Sequence, residues 1–223
     1  VGFRKFTYDN VETKNTLRDE TEGGQVMGGP AVELWPGRMA GIHFLRGLSL
    51  FGRAQFPVAG QTVEGSLMGT VKTKWSSFEV SLRQRWVFGP VGIEASGGFV
   101  QDKFAFDATD SRDLALVPDA SYQSVRLGGT VLLVAGAAEP YISGENRIVL
   151  AGGPVGGRFD RSQVSGLRGS VGMLLNLGAV CARVEGTLMN YSWQFAYDQT
   201  DPARATGATD SIKLISAMLG YSY

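Results

Sequence analysis

Long stretches of the chain alternate apolar and polar residues with a period of two, which restricts it to strands with two chemically different faces. Leu167, Gly169, Val171, Met173 and Leu175 fall on one face, with Arg168, Ser170, Gly172 and Asn176 on the other. The next run sets Val180, Ala182, Val184, Gly186 and Leu188 against Arg183, Glu185, Thr187 and Met189. Phe78, Val80 and Leu82 oppose Glu79, Ser81, Arg83 and Arg85, while Val125, Leu127, Val131 and Leu133 oppose Arg126, Gly128 and Thr130. Helical spacing fits none of these runs as well. No segment approaches the roughly 18 to 20 continuous apolar residues of a membrane helix. Spanning helices are therefore excluded, and spanning strands are not.

Turn residues divide the pattern into ten expected strands, near 1–8, 24–35, 40–56, 66–88, 91–106, 120–135, 140–150, 163–176, 179–197 and 210–223. Short connections carry Pro or Gly, at Pro36-Gly37, Gly89-Pro90, Ala138-Glu139-Pro140 and Leu177-Gly178. Longer polar connections lie between them, near 9–23, 57–65, 107–119, 151–162 and 198–209. An even strand number, with tight turns at one end and long loops at the other, is the layout of an antiparallel up-and-down transmembrane β-barrel, here one domain over 1–223. Within 66–88 the apolar phase moves from odd positions (Leu67, Val71, Trp75) to even ones (Phe78, Val80, Leu82). A β-bulge near Ser76-Ser77 is expected there, in preference to a hairpin that would make eleven strands. A first residue of Val1 rather than Met points to a processed or incompletely covered chain.

Alternation alone does not say which face points outward, and a soluble ligand-binding barrel would bury the apolar one. Three features favour the reverse. The polar face is mainly Gly, Ser, Thr, Tyr and Arg paired with Glu, with little lysine, and arginine suits confined, multiply hydrogen-bonded ion pairs. The chain ends LISAMLGYSY, an alternating apolar strand that finishes on Tyr221 and Tyr223 and resembles the assembly signal of bacterial outer-membrane barrels. Aromatic residues also gather at strand ends, as expected of rings at both membrane interfaces. Trp35, Trp86 and Phe88 lie near short turns. Phe6, Tyr8, Phe104, Phe106, Trp193, Phe195 and Tyr197 lie near long loops. The related stretches FTYD (Phe6 to Asp9), FAFDATD (Phe104 to Asp110) and FAYDQTD (Phe195 to Asp201) would each mark an outer interface where an acidic loop begins.

A formal net charge of zero gives no basic field for general nucleic-acid binding. The single cysteine, Cys181, can form no internal disulfide, and no ligand cluster for a metal accompanies it. His43, the only histidine, follows a short turn with no nucleophile pattern beside it, so no catalytic residues, cofactor or metal site are expected. Acidic loop residues such as Asp19, Asp113, Asp201 and Asp210 match no calcium-loop spacing. GGPVGG, Gly152 to Gly157, lacks a following Gly-Lys-Ser and reads as a flexible outer loop.

The inward charges are the most informative set. Glu33, Glu79, Glu94, Glu145 and Glu185 share the expected lumen with Arg53, Arg83, Arg85, Arg126, Arg147, Arg168 and Arg183. Unpaired charge in a confined interior is costly, so an ion-pair network is expected. It would either plug the barrel or form a charged constriction in a small pore.

Several stretches resemble the Legionella-type major outer-membrane pore-forming protein family: GFRKFTYD from Gly2, GGPAVELWPG from Gly28, GLSLFGRAQF from Gly47, VEGTLMNYSWQF from Val184 and the final IKLISAMLGYSY. The resemblance covers about half the chain and implies a Gram-negative outer-membrane barrel with channel or structural activity. A small or gated pore is then the first expectation, and a non-conducting barrel that offers its loops to an envelope protein complex is the second. Expected partners are outer-membrane lipid and lipopolysaccharide, and the barrel-assembly machinery through the last strand. The long loops would be extracellular and the chain ends periplasmic.

Overall fold

A computed structural model of the chain describes residues 1–9, 20–59, 62–65, 69–107, 119–159, 161–178, 180–196 and 205–221. The strands are β1 (Gly2–Asp9), β2 (Glu20–Gly28), β3 (Ala31–Leu34), β4 (Leu48–Ala59), β5 (Thr62–Gly65) and β6 (Gly69–Phe88). They continue with β7 (Val91–Asp107), β8 (Ala120–Leu133), β9 (Ala138–Ala151), β10 (Gln163–Leu177), β11 (Val180–Gln194) and β12 (Gly207–Tyr221). Two short helices, α1 (Pro36–Met39) and α2 (Pro154–Arg158), and a 3-10 turn at His43–Leu45 lie in the connections.

All pairing is antiparallel, and the last strand meets the first, from Gly2 opposite Leu214 to Asp9 opposite Gly207. β1 is thereby bonded on both sides, to β12 and to β2, and the ring of staves closes along the Gly207–Leu214 part of β12, as a β structure in hydrocarbon requires. Among the described residues the twelve strand segments form ten staves. β2 and β3 occupy one stave, since Gly28 faces Phe56 and Ala31 faces Arg53 in the same register of β4. β5 pairs with Gly69–Lys72 of β6, and β4 pairs with Ser77–Gln84 of the same strand.

The apolar face points outward. Leu127, Val171, Leu188 and Ile215 are each more than half exposed, whereas Glu79 and Glu185 are 1% exposed. Such a surface would be unstable in water and suits a lipid environment. Among the described residues, no helix is long and apolar enough to cross a membrane.

Two strand expectations need correction. The strand expected over 40–56 begins only at Leu48, because the preceding residues fold into α1 and the 3-10 turn. Pro36 starts α1, where its missing N–H costs nothing, and Gly37 lies so close to the Leu45 carbonyl that a Cβ would stand 1.8 Å from its oxygen. The bulge expected at Ser76-Ser77 is absent: β6 pairs with β7 in one register from Lys72 opposite Asp107 to Phe88 opposite Val91. Trp75, Ser77, Glu79, Ser81 and Arg83 all point inward. The apolar phase changes along β6 because the interior itself changes, from ion pairs in its lower half to aromatic rings in its upper half.

The same division corrects the placement of several aromatic residues. Phe6, Tyr8, Phe104, Trp193 and Phe195 do not face lipid at an outer interface; all are buried inside the barrel. Trp86 and Phe88 do point outward beside a short turn, and Trp35 is half-buried. The side chains of Phe106, Tyr197, Tyr221 and Tyr223 lie outside the described residues.

Candidate functional site: a lumen filled at two levels

The lower interior is a continuous chain of ion pairs carried by neighbouring staves. Arg53 on β4 faces Glu79 on β6 in register and donates to it at 2.8 Å. Glu79 also accepts from Arg126 on β8 and meets Arg83 at 3.5 Å. Arg126 reaches Glu145 on β9 at 3.0 Å. Glu145 accepts from Arg147 Nε at 2.7 Å and faces Arg168 on β10, whose guanidinium lies 3.6 Å away. Arg168 donates to Glu185 on β11 at 2.7 Å, and Glu185 accepts from Arg183 at the same distance. Each glutamate thus holds two or three arginines, which compensates the cost of removing its charge from water.

Of the other expected lumen charges, Arg85 pairs at 2.8 Å with Glu139 rather than with its register partner Glu94. Glu94 lines the small cavity within the network. Glu33 is exposed at the short-turn end, where Ser49 Oγ donates to it at 2.6 Å.

Arg147 joins this layer to the one above. Its guanidinium also donates to Asp102 on β7 and, at 2.5 Å, to the Tyr191 hydroxyl, which itself donates to Asp102 at 3.0 Å. Tyr191 stacks on Tyr122, with ring centroids 3.7 Å apart. The Tyr122 hydroxyl donates to Asp210 at 2.6 Å and accepts from Trp193 Nε1 at 3.2 Å. Asp210 accepts three bonds from Arg4, whose guanidinium lies 4.2 Å above the Phe104 ring. Above these groups the interior is a packed cluster that includes Phe6, Tyr8, Trp75, Phe104, Trp193 and Phe195.

The aromatic cluster is closed by a connection between strands. Val155 of α2 is fully buried, and Phe159 stacks on Phe195 at 3.9 Å. Gly152 passes Trp193 so closely that a Cβ would stand 2.1 Å from the indole. The GGPVGG stretch expected as a flexible outer loop therefore supplies part of the plug, and its glycines permit the approach.

Two spaces remain. One, of about 30 Å³, lies within the ion-pair layer. The other, of about 620 Å³, is a vestibule at the short-turn end lined by Trp35, Arg38, Arg46, Glu139 and Cys181, among others. The side chain of His43 lies outside the described residues, as do the acidic positions Asp19, Asp113 and Asp201. Asp210, expected in an outer loop, is instead buried in β12.

Sequence reasoning missed Arg4, Asp102, Asp210, Glu139, Tyr122, Tyr191 and Tyr141, whose hydroxyl donates to Glu185 and accepts from Arg183 Nε, both at 2.7 Å. For several of them the signal was strand parity. Asp102 lies eight residues from Glu94 on β7, and Tyr191 six from Glu185 on β11, so each shares an inward face with a charge already placed there.

No family model matches the chain, and no curated protein matches it. A solved structure is similar: the crystal structure of the outer membrane protease OmpT from Escherichia coli, with a TM-score of 0.55 and 9% sequence identity. The match covers 100% of this chain and 93% of that one. At that identity the likeness concerns the fold alone. The chain has the fold of a Gram-negative outer-membrane β-barrel.

Proposed function

We propose that the protein is a closed, non-conducting barrel of the bacterial outer membrane, which acts as a rigid base for its long loops and their partners. The observation that supports this reading most strongly is the filling of the lumen at two successive levels. An ion or solute entering from the vestibule meets the layer from Arg53 to Arg183 and then the packed rings beneath α2. Each level is held by several staves, so no single side chain blocks the path.

In this reading the long loops face the cell exterior and both chain ends face the periplasm. The outward surface meets lipid and lipopolysaccharide, and β12 carries the signal read by the assembly machinery. Loop partners belong to an envelope protein complex. Catalysis is not part of this reading: among the described residues, Asp102 and Asp210 of the upper interior are each bound by an arginine and a tyrosine and are not poised to activate water.

A gated pore is the second reading, and it is the one implied by the resemblance to the Legionella-type pore-forming family. It is favoured by α2, because this part of the plug comes from a connection rather than a stave. Swelling of proteoliposomes in isotonic arabinose separates the readings. A closed barrel gives the rate of empty liposomes, and swelling that scales with protein content contradicts it.

A further inference from the structure

We infer that the small cavity within the ion-pair layer is a binding site for one chloride-sized monovalent anion. The site deepens the reading of a closed lumen and rests on it, because an open pore would present these arginines to bulk water. Three observations converge on the cavity.

The first is charge. Five arginines line it, at positions 53, 83, 126, 168 and 183, against the four carboxylates of Glu79, Glu94, Glu145 and Glu185. Adding Arg147 and Asp102, which join the layer from above, adds one charge of each sign and leaves the excess at one positive. Arg183 is 27% exposed, but Arg53, Arg83, Arg126 and Arg168 are each at most 9% exposed, and an uncompensated charge in so confined an interior is costly.

The second is hydrogen bonding. Arg53, Arg83 and Arg126 each have a buried Nε–H without an acceptor, and each side chain is at most 9% exposed. A guanidinium carries only donors, so what completes these groups must be an acceptor. Water would accept a hydrogen bond but would leave the charge uncompensated. An anion satisfies both requirements.

The third is size. The cavity, at about 30 Å³, has room for an ion the size of chloride. It is also adjacent to an entrance. Arg83 lines the cavity and Arg85, two residues along the same inward face of β6, lines the vestibule at the short-turn end.

The test is thermal unfolding of the folded barrel in detergent, with chloride exchanged for gluconate at constant ionic strength. Gluconate is too large for the cavity. The melting temperature of the wild type should rise with chloride and level off, as expected for one saturable site. Arg83→Gln removes the excess charge at the arginine whose nearest carboxylate, at 3.5 Å, is the most distant in the layer, and should abolish the chloride dependence. A wild type that melts equally in both salts overturns the site, as does an Arg83→Gln protein with unchanged chloride dependence.

Should Arg83→Gln fail to fold, crystals of the wild type grown in bromide decide the matter. An anomalous peak between Arg53, Arg83 and Arg126 is expected, and no peak in the cavity overturns the proposal. Failure of the closed-lumen reading looks different: current through the barrel would sink that reading, whereas a flat chloride titration of a non-conducting barrel would sink only the anion site.

Discussion

Arg126 and Arg147 stand directly opposite each other on β8 and β9, and one carboxylate, Glu145, holds both. Like charges at a cross-strand position repel, and here the repulsion is offset by a glutamate two residues along β9. The layer is therefore cooperative: loss of one carboxylate exposes several arginines to one another.

Replacing Glu145 with Gln should destabilise the barrel by about 3 kcal/mol or more, the scale expected when one partner of a buried pair is removed. Urea unfolding in detergent or lipid measures it. A change within the scatter of surface substitutions would show that the three arginines around Glu145 are compensated elsewhere.

Lipids with brominated acyl chains should quench Trp86 and spare Trp75 and Trp193. Trp86 is 45% exposed on the outer face, whereas the other two are 3% exposed inside the barrel. Single-tryptophan variants read out each ring separately. Strong quenching of Trp193 would return the aromatic cluster to the lipid interface and contradict the filled upper lumen.

Val171 lies near the middle of β10 and points outward. Arginine at that position should cost about 2–4 kcal/mol, as charge on the lipid face of a barrel does near the bilayer midplane. Arginine at an inward position of the same strand, Arg168, is the native residue. Equal tolerance of arginine on both faces would argue that the outer surface does not meet hydrocarbon.

Phe159→Ala removes the ring stacked on Phe195 and should loosen α2. Limited proteolysis near 154–159 should accelerate, because the connection is held by few buried apolar side chains. Flux should stay at background, since the ion-pair layer beneath remains intact. Flux from this variant alone would make α2 the sole barrier and favour the gated pore.

The sequence carried the barrel in its alternation, and it carried the ion-pair layer, because Arg and Glu recur on the same parity along β6, β9, β10 and β11. The bulge expected in β6 and the lipid-facing girdle share one cause. Both came from treating an apolar residue as an outward residue. Parity alone places Trp75 with Glu79, and Trp193 with Glu185, on inward faces, but composition argues the other way once the lumen turns aromatic. The fold-back at α1 was less legible, since it depends on Gly37 meeting the Leu45 backbone, a contact that periodicity does not register. The partners of Arg4 and Arg147 were hidden for a similar reason: Asp210 and Asp102 reach them across the lumen or at the barrel seam, far away in sequence.

Single-channel recording of the purified barrel in a planar bilayer tests the closed lumen most directly. Silence is predicted from protein shown to be folded by its heat-modifiable migration, across voltages and in molar salt. Discrete, salt-dependent current steps from the same preparation would contradict it.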